Sequence, residues 1–96
     1  MPTVAIANNL KTALAKTFAG QPQVRHVLTE QVHGALFVWI ALDDASPSAR
    51  RPVYQKQLKV ISDFPEVDFD FNLVPSMGRS AKEISTTATI AYSRPA

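Results

Sequence analysis

The sequence contains no cysteine, which removes disulfides, thiolate metal ligands, iron–sulfur clusters and a cysteine nucleophile together and fits a reducing compartment. Glycine is scarce, with three residues in 96. The chain has no G-x-x-x-x-G-K-[ST] phosphate loop, no dinucleotide fingerprint and no G-x-S-x-G nucleophile elbow. Long apolar runs are missing too: the longest, Ala35 to Leu42, is far short of the roughly 20 residues that a membrane-spanning helix needs. The opening stretch "MPTVAIANNLKTALAKTF" lacks a basic region leading into an unbroken apolar core. The chain therefore reads as soluble and cytoplasmic, with no membrane contact. Charge of one sign is also lacking. Ten Lys and Arg stand against eight Asp and Glu, and the basic residues are scattered from Lys11 to Arg94, whereas nucleic-acid modules concentrate positive charge on one face. The densest basic run, "ARRPVYQKQLK", carries Arg50, Arg51, Lys56 and Lys59 and reads as a solvated helix surface. Nucleic-acid binding is not expected.

What is present is a balanced composition, 46% hydrophobic and 19% charged. No segment is polar or biased enough to be a linker or a disordered tail, so residues 1–96 read as a single domain. The first periodic segment places Ile6, Leu10, Ala13 or Leu14, and Thr17 or Phe18 on one side of a helix over about residues 4–19, stopped by Gly20 with Pro22 just beyond. "VRHVLTEQV" is a half-exposed strand. His33 and Gly34 form a tight hairpin turn in which Gly34 takes positive φ. "ALFVWIAL" is apolar throughout, the pattern of a central strand covered on both sides.

A second helix follows, with Ser46 or Ser48 as its cap and Pro47 or Pro52 in its opening turn. Tyr54, Leu58 and Ile61 recur along it at helical spacing, with Val53 and Val60 alongside. A third strand over about residues 67–74 alternates Val67, Phe69, Phe71 and Leu73 on one face with Asp68, Asp70 and Asn72 on the other. A loop and a fourth, threonine-rich strand from Thr86 to Tyr92 close the chain. A helix joining two strands makes them parallel with a right-handed crossover, and a two-residue turn makes its strands antiparallel. The expectation is an α+β two-layer sandwich, with a mixed sheet of three to four strands and both helices on one face.

Asp68 and Asp70 project from the same strand face, as two ligands of one divalent cation would. The obvious third ligand is Asp43 or Asp44, after the second strand. The stretches "VWIALDD" and "DFD" are similar to the acidic strands of minimal nucleotidyltransferases, which hold metal with an aspartate pair and a third aspartate on a neighbouring strand. The glycine-serine turn that precedes the pair in that family is absent, so its activity is not carried over. Geometry also separates the two groups: a helix of about fifteen residues, roughly 22 Å long, returns the chain to the other end of the sheet. Asp68 and Asp70 then lie on the order of 15 Å from Asp43 and Asp44. The pair reads as a solvated sheet face, with no metal and no cofactor.

His26 and His33 bracket the first strand and do not make a two-histidine ion site. The stronger candidate for binding lies at the carboxyl ends of the parallel strands, where α/β architectures bind ligands. There Asp43 and Asp44 approach the loop "PSMGRSAK", which supplies Arg79 and Lys82 for a phosphate or carboxylate. The apolar pattern points elsewhere. With both helices on one face, Phe37 and Trp39 of the central strand fall on the open face, and exposed Trp and Phe commonly anchor protein contacts. The sequence thus leads first to a non-catalytic interaction or regulatory module that closes this face as a homodimer or with another protein. A ligand-binding or enzymatic domain built on Asp43, Asp44, Arg79 and Lys82 is the alternative.

Overall fold

A computed structural model describes the backbone of residues 3–94 and the side chains of residues 9–94. Helix α1 (Thr3–Ala19) buries Leu10, Leu14 and Phe18, one residue per turn at a spacing of four, and ends before Gly20. The side chain of Ile6, the first member of the expected stripe, lies outside the described residues. Strands β1 (Val24–Val32) and β2 (Ala35–Leu42) form an antiparallel hairpin. Its turn residues His33 (φ 51) and Gly34 (φ 85) are both left-handed, as a type I′ turn requires, so the non-glycine partner shares the conformation expected of glycine alone.

Helix α2 (Pro47–Asp63) starts at the N-cap Ser46, whose side chain accepts from the backbone N–H of Ala49, with Pro47 in the first turn. Pro52 lies inside the helix rather than in its opening turn. It has no N–H to offer the preceding turn, which loses one hydrogen bond there. Strand β3 (Asp68–Pro75) pairs parallel with β2, one turn of helix α3 (Ala81–Ile84) follows, and β4 (Thr89–Ser93) pairs antiparallel with β1. The fourth strand thus forms, starting three residues later than the threonine pattern suggests. The sheet order is β3-β2-β1-β4.

The fold is a two-layer α+β sandwich with a mixed four-stranded sheet. Val38, Ile40 and Leu42 of β2, Val24 and Val27 of β1, and Val53 and Val60 of α2 join the α1 residues in one core. Each such side chain contributes on the order of 1.5–3 kcal/mol by leaving water. On α2 the buried residues are Ala49, Val53, Gln57 and Val60, while Tyr54, Leu58 and Ile61 are 47, 66 and 42% exposed. Of the apolar residues that recur along this helix at helical spacing, Val53 and Val60 are thus the buried ones and Tyr54, Leu58 and Ile61 are not. Two apolar rows run along α2, roughly 110° apart at 100° per residue, and one sheet can take only one of them. The row of Ala and Val lets the helix approach the strands closely, and it is the row that is buried.

The connection from β3 to β4 fixes the second face of the sheet. These strands are parallel and lie at opposite edges, so residues 76–88 must cross β2 and β1. Return in the opposite direction keeps a right-handed crossover only over the face opposite α2. The hydrogen bond from His26 Nε2 to the carbonyl of Arg79, 3.0 Å, lies on that face. On the face that this segment crosses Leu28 and Ala41 are fully buried, and Ala81 of the segment itself is 6% exposed. The apolar face expected to be open is therefore covered at one end by the chain itself.

Candidate functional site

At the carboxyl ends of β2 and β3 the expected neighbours do meet. Ser76 Oγ donates to Asp43 Oδ1 at 2.9 Å, and the Ser76 backbone N–H donates to the carbonyl of Leu42 at 2.8 Å. Two residues that the sequence did not single out complete the cluster. Arg25 Nε donates to Asp43 Oδ1 at 2.7 Å, and Arg94 donates to Asp43 Oδ2. The same Arg94 donates to the carbonyl of Pro22 at 2.6 Å, and its backbone N–H donates to the carbonyl of Arg25 at 2.8 Å. One carboxylate therefore ties β1, the end of β2, the end of β3 and the end of β4. The hydrogen bond from Arg25 is the largest influence holding the Asp43 carboxyl down to about 2, helped by Arg94 and Ser76 against partial desolvation.

The other expected ligand residues are arranged differently. Asp44 accepts from the backbone N–H of Ser46 at 2.9 Å, shaping the entry to α2. Arg79 turns back on its own loop, its guanidinium donating to the carbonyls of Ser76 at 3.0 Å and Pro75 at 2.6 Å. Lys82 is exposed on α3. Asp43 and Arg79 thus share one corner of the fold, with both carboxylate oxygens of Asp43 and two guanidinium nitrogens of Arg79 engaged by the chain.

His26, 7% exposed, sits one layer away. Its Nδ1 lies 2.8 Å from Ser93 Oγ and its Nε2 3.0 Å from the carbonyl of Arg79. A carbonyl only accepts, so Nε2 carries a proton and donates to it, while Nδ1 shares a hydrogen bond with the Ser93 hydroxyl, which can act as donor or acceptor. The third member of this chain is a backbone carbonyl rather than the carboxylate that orients the base in hydrolase triads. The arrangement locks the crossing segment and β4 onto β1.

Asp68 and Asp70 are exposed on the open face, where Asn72 Nδ2 donates to Asp70 Oδ1 at 3.2 Å. The register pairs Asp70 with Phe37, six positions before Asp43, which is roughly 20 Å along the strand. Among the described residues no group of three His, Asp or Glu could hold a metal ion. The basic run of α2 does not form one patch: Lys59 pairs with Asp63 at 3.2 Å, and Arg50 Nε is buried without a hydrogen-bond partner among the described residues.

Phe37 and Trp39 are half-buried, their rings tilted at 39° with centroids 5.8 Å apart, and Trp39 pairs across the hairpin with the buried Leu28. A cavity of about 480 Å³ opens at the hairpin end between α1 and the sheet, with Leu10, Leu14, Leu36 and Val67 as its apolar wall and Thr29 as a buried polar member. No helix among the described residues is long and apolar enough to cross a membrane.

No protein-family model matches this chain, and no curated protein matches it. The functional reading therefore rests on the surfaces themselves.

Proposed function

We propose that this chain is a non-catalytic interaction module that associates through apolar surface its own fold leaves uncovered. The observation that supports this reading is the second apolar row of α2. Tyr54, Leu58 and Ile61 stand exposed on a helix whose buried row is already complete, and grouped apolar exposure is unusual on a monomer. The half-buried Phe37 and Trp39 on the opposite side of the same β2–β3 half add a second apolar surface, the one a homodimer closing the sheet would use. The polar cluster around Asp43 favours this reading over catalysis, because its groups satisfy one another. Solution mass measured across a wide concentration range tests the proposal. The expected result is a reversible association that strengthens with concentration; a folded monomer at every concentration counts against it.

A second reading, a small-ligand domain, draws on the cavity beside Thr29. Its volume lies within the range of ligand pockets, and its wall suits an amphipathic molecule with an apolar body and a hydrogen-bonding end. A rise in melting temperature with such compounds, abolished by Leu36→Trp in the cavity wall, would favour it.

A further inference from the structure

This inference rests on the interaction-module reading and names the surface and the partner. The two edges of the sheet differ. β4 has five residues and its pairing with β1 is bulged, two devices that blunt an edge against further pairing. β3 has eight residues, pairs with β2 in unbroken register, carries no lysine and has its only proline at its last position. Its outer side is the open edge that natural monomers ordinarily protect.

Helix α2, the crossover between β2 and β3, rides above this pair. In a right-handed crossover the flank of α2 that carries Tyr54, Leu58 and Ile61 is the one on the outer side of β3. Pro52 and Lys56 on the opposite flank are half-buried, as the flank beside α1 should be. Phe69, Phe71 and Leu73 beneath α2 are likewise only partly buried. An open strand edge and an exposed apolar helix flank thus adjoin along one side of the molecule.

We propose that a second copy of this chain occupies that side, its β3 pairing antiparallel to the first about a two-fold axis through Phe71. The register follows from charge and shape. Keeping each side chain on its own face requires the axis to lie at a residue and not between two residues. An axis at Asp70 would set Asp70 against Asp70 of the second copy, a like-charge pair, and an axis at Asn72 would bring Pro75, which has no N–H, into the ladder. The axis at Phe71 sets Asp70 opposite Asn72, Asp68 opposite Val74 and Phe69 opposite Leu73, and leaves Pro75 outside.

The helices agree with this placement. If α2 lies above the gap between β2 and β3, and strands are about 4.8 Å apart, the two α2 axes come within about 10 Å, the spacing at which helices pack. Their exposed rows then face one another near the middle of each helix, where Leu58, the most exposed of the three, meets its counterpart. The contact is isologous, so it closes at two copies.

The absence of cysteine makes the register directly testable. Asp70→Cys and Asn72→Cys each introduce one thiol, and directly opposed residues of antiparallel strands come within disulfide reach while diagonal ones do not. Oxidising the two variants as a mixture should give several-fold more cross-linked dimer than oxidising either alone. In sedimentation equilibrium the parent chain should dimerise, Leu58→Glu should weaken the dimer at least tenfold with an unchanged circular dichroism spectrum, and Trp39→Lys should leave it intact. A dimer broken by Trp39→Lys and indifferent to Leu58→Glu would overturn this surface while keeping the module reading, its contact then on the open face. Equal cross-linking in the single and mixed samples would overturn the register, and a monomer at every concentration would overturn both the inference and the self-association it rests on.

Discussion

Asp43→Asn removes the charge that gathers the ends of all four strands and keeps the shape of the side chain. Holding that carboxyl at about 2 instead of 3.8 corresponds to at most about 2.4 kcal/mol, at ~1.36 kcal/mol per pH unit. Asp43, Arg25 and Arg94 are each about a third open to water, and screening there leaves roughly 1–2 kcal/mol. For a domain of this size that lowers the melting temperature by roughly 4–16 °C. The folded-state pKa is depressed, so the stabilisation is fully present above the unfolded value near 3.8 and is lost as the pH falls through about 2. The amide that replaces the carboxyl does not titrate. The gap between parent and variant should therefore be constant from neutral pH down to about pH 5 and close between about pH 4 and pH 2. Urea denaturation at several pH values, at one fixed protein concentration so that any association contributes equally, measures the gap. Equal stabilities at pH 7, or a gap that persists undiminished at about pH 2.5, would refute the assignment of Asp43 as the charged tie between the strands.

Three further outcomes follow from the same geometry. Leu28→Ala, beneath the crossing segment, should cost about 2–5 kcal/mol because Leu28 is fully buried; a loss under about 1 kcal/mol in denaturant titration would mean that the segment does not pack there. Gly34→Ala should cost on the order of 1 kcal/mol from backbone strain alone, since φ is +85° and nothing lies within 4 Å of an added Cβ, and a stabilised variant would contradict the turn. Replacing both Asp68 and Asp70 by Asn should change stability by less than about 0.5 kcal/mol and leave metal content by mass spectrometry unchanged, whereas loss of a bound ion would restore the aspartates to a metal site.

The elements whose patterns are local were legible in the sequence. The α1 stripe from Leu10 onward, the alternation of β3 and the His33–Gly34 turn each depend on residues within one or two turns of each other, and each formed. Helix α3 was missed although its signal was present: Ser80 caps it and Glu83 reaches back to the Ser80 N–H, the S-x-x-E pattern of a capping box. The Asp43 cluster was half legible. Asp43 and Ser76 end adjacent parallel strands, so the crossover brings them together. Arg25 and Arg94 arrive through the hairpin and through the last edge strand, and no local spacing encodes a pairing of residues 18 and 51 positions away from Asp43.

Helix α2 shows why periodicity alone does not assign a face. The row Tyr54, Leu58, Ile61 and the row Ala49, Val53, Val60 satisfy the same helical spacing, so a hydrophobic pattern cannot rank them. What ranks them is the partner surface. A pleated sheet rewards small and β-branched side chains that let the helix axis come close, while large side chains in that row would hold it away from Val38 and Ile40. The larger row is then left exposed on the flank. Had the flank been polar, an open β3 edge would be an isolated liability. With an apolar row placed above it, edge and flank become two halves of one surface, which the proposed second copy would satisfy in a single contact.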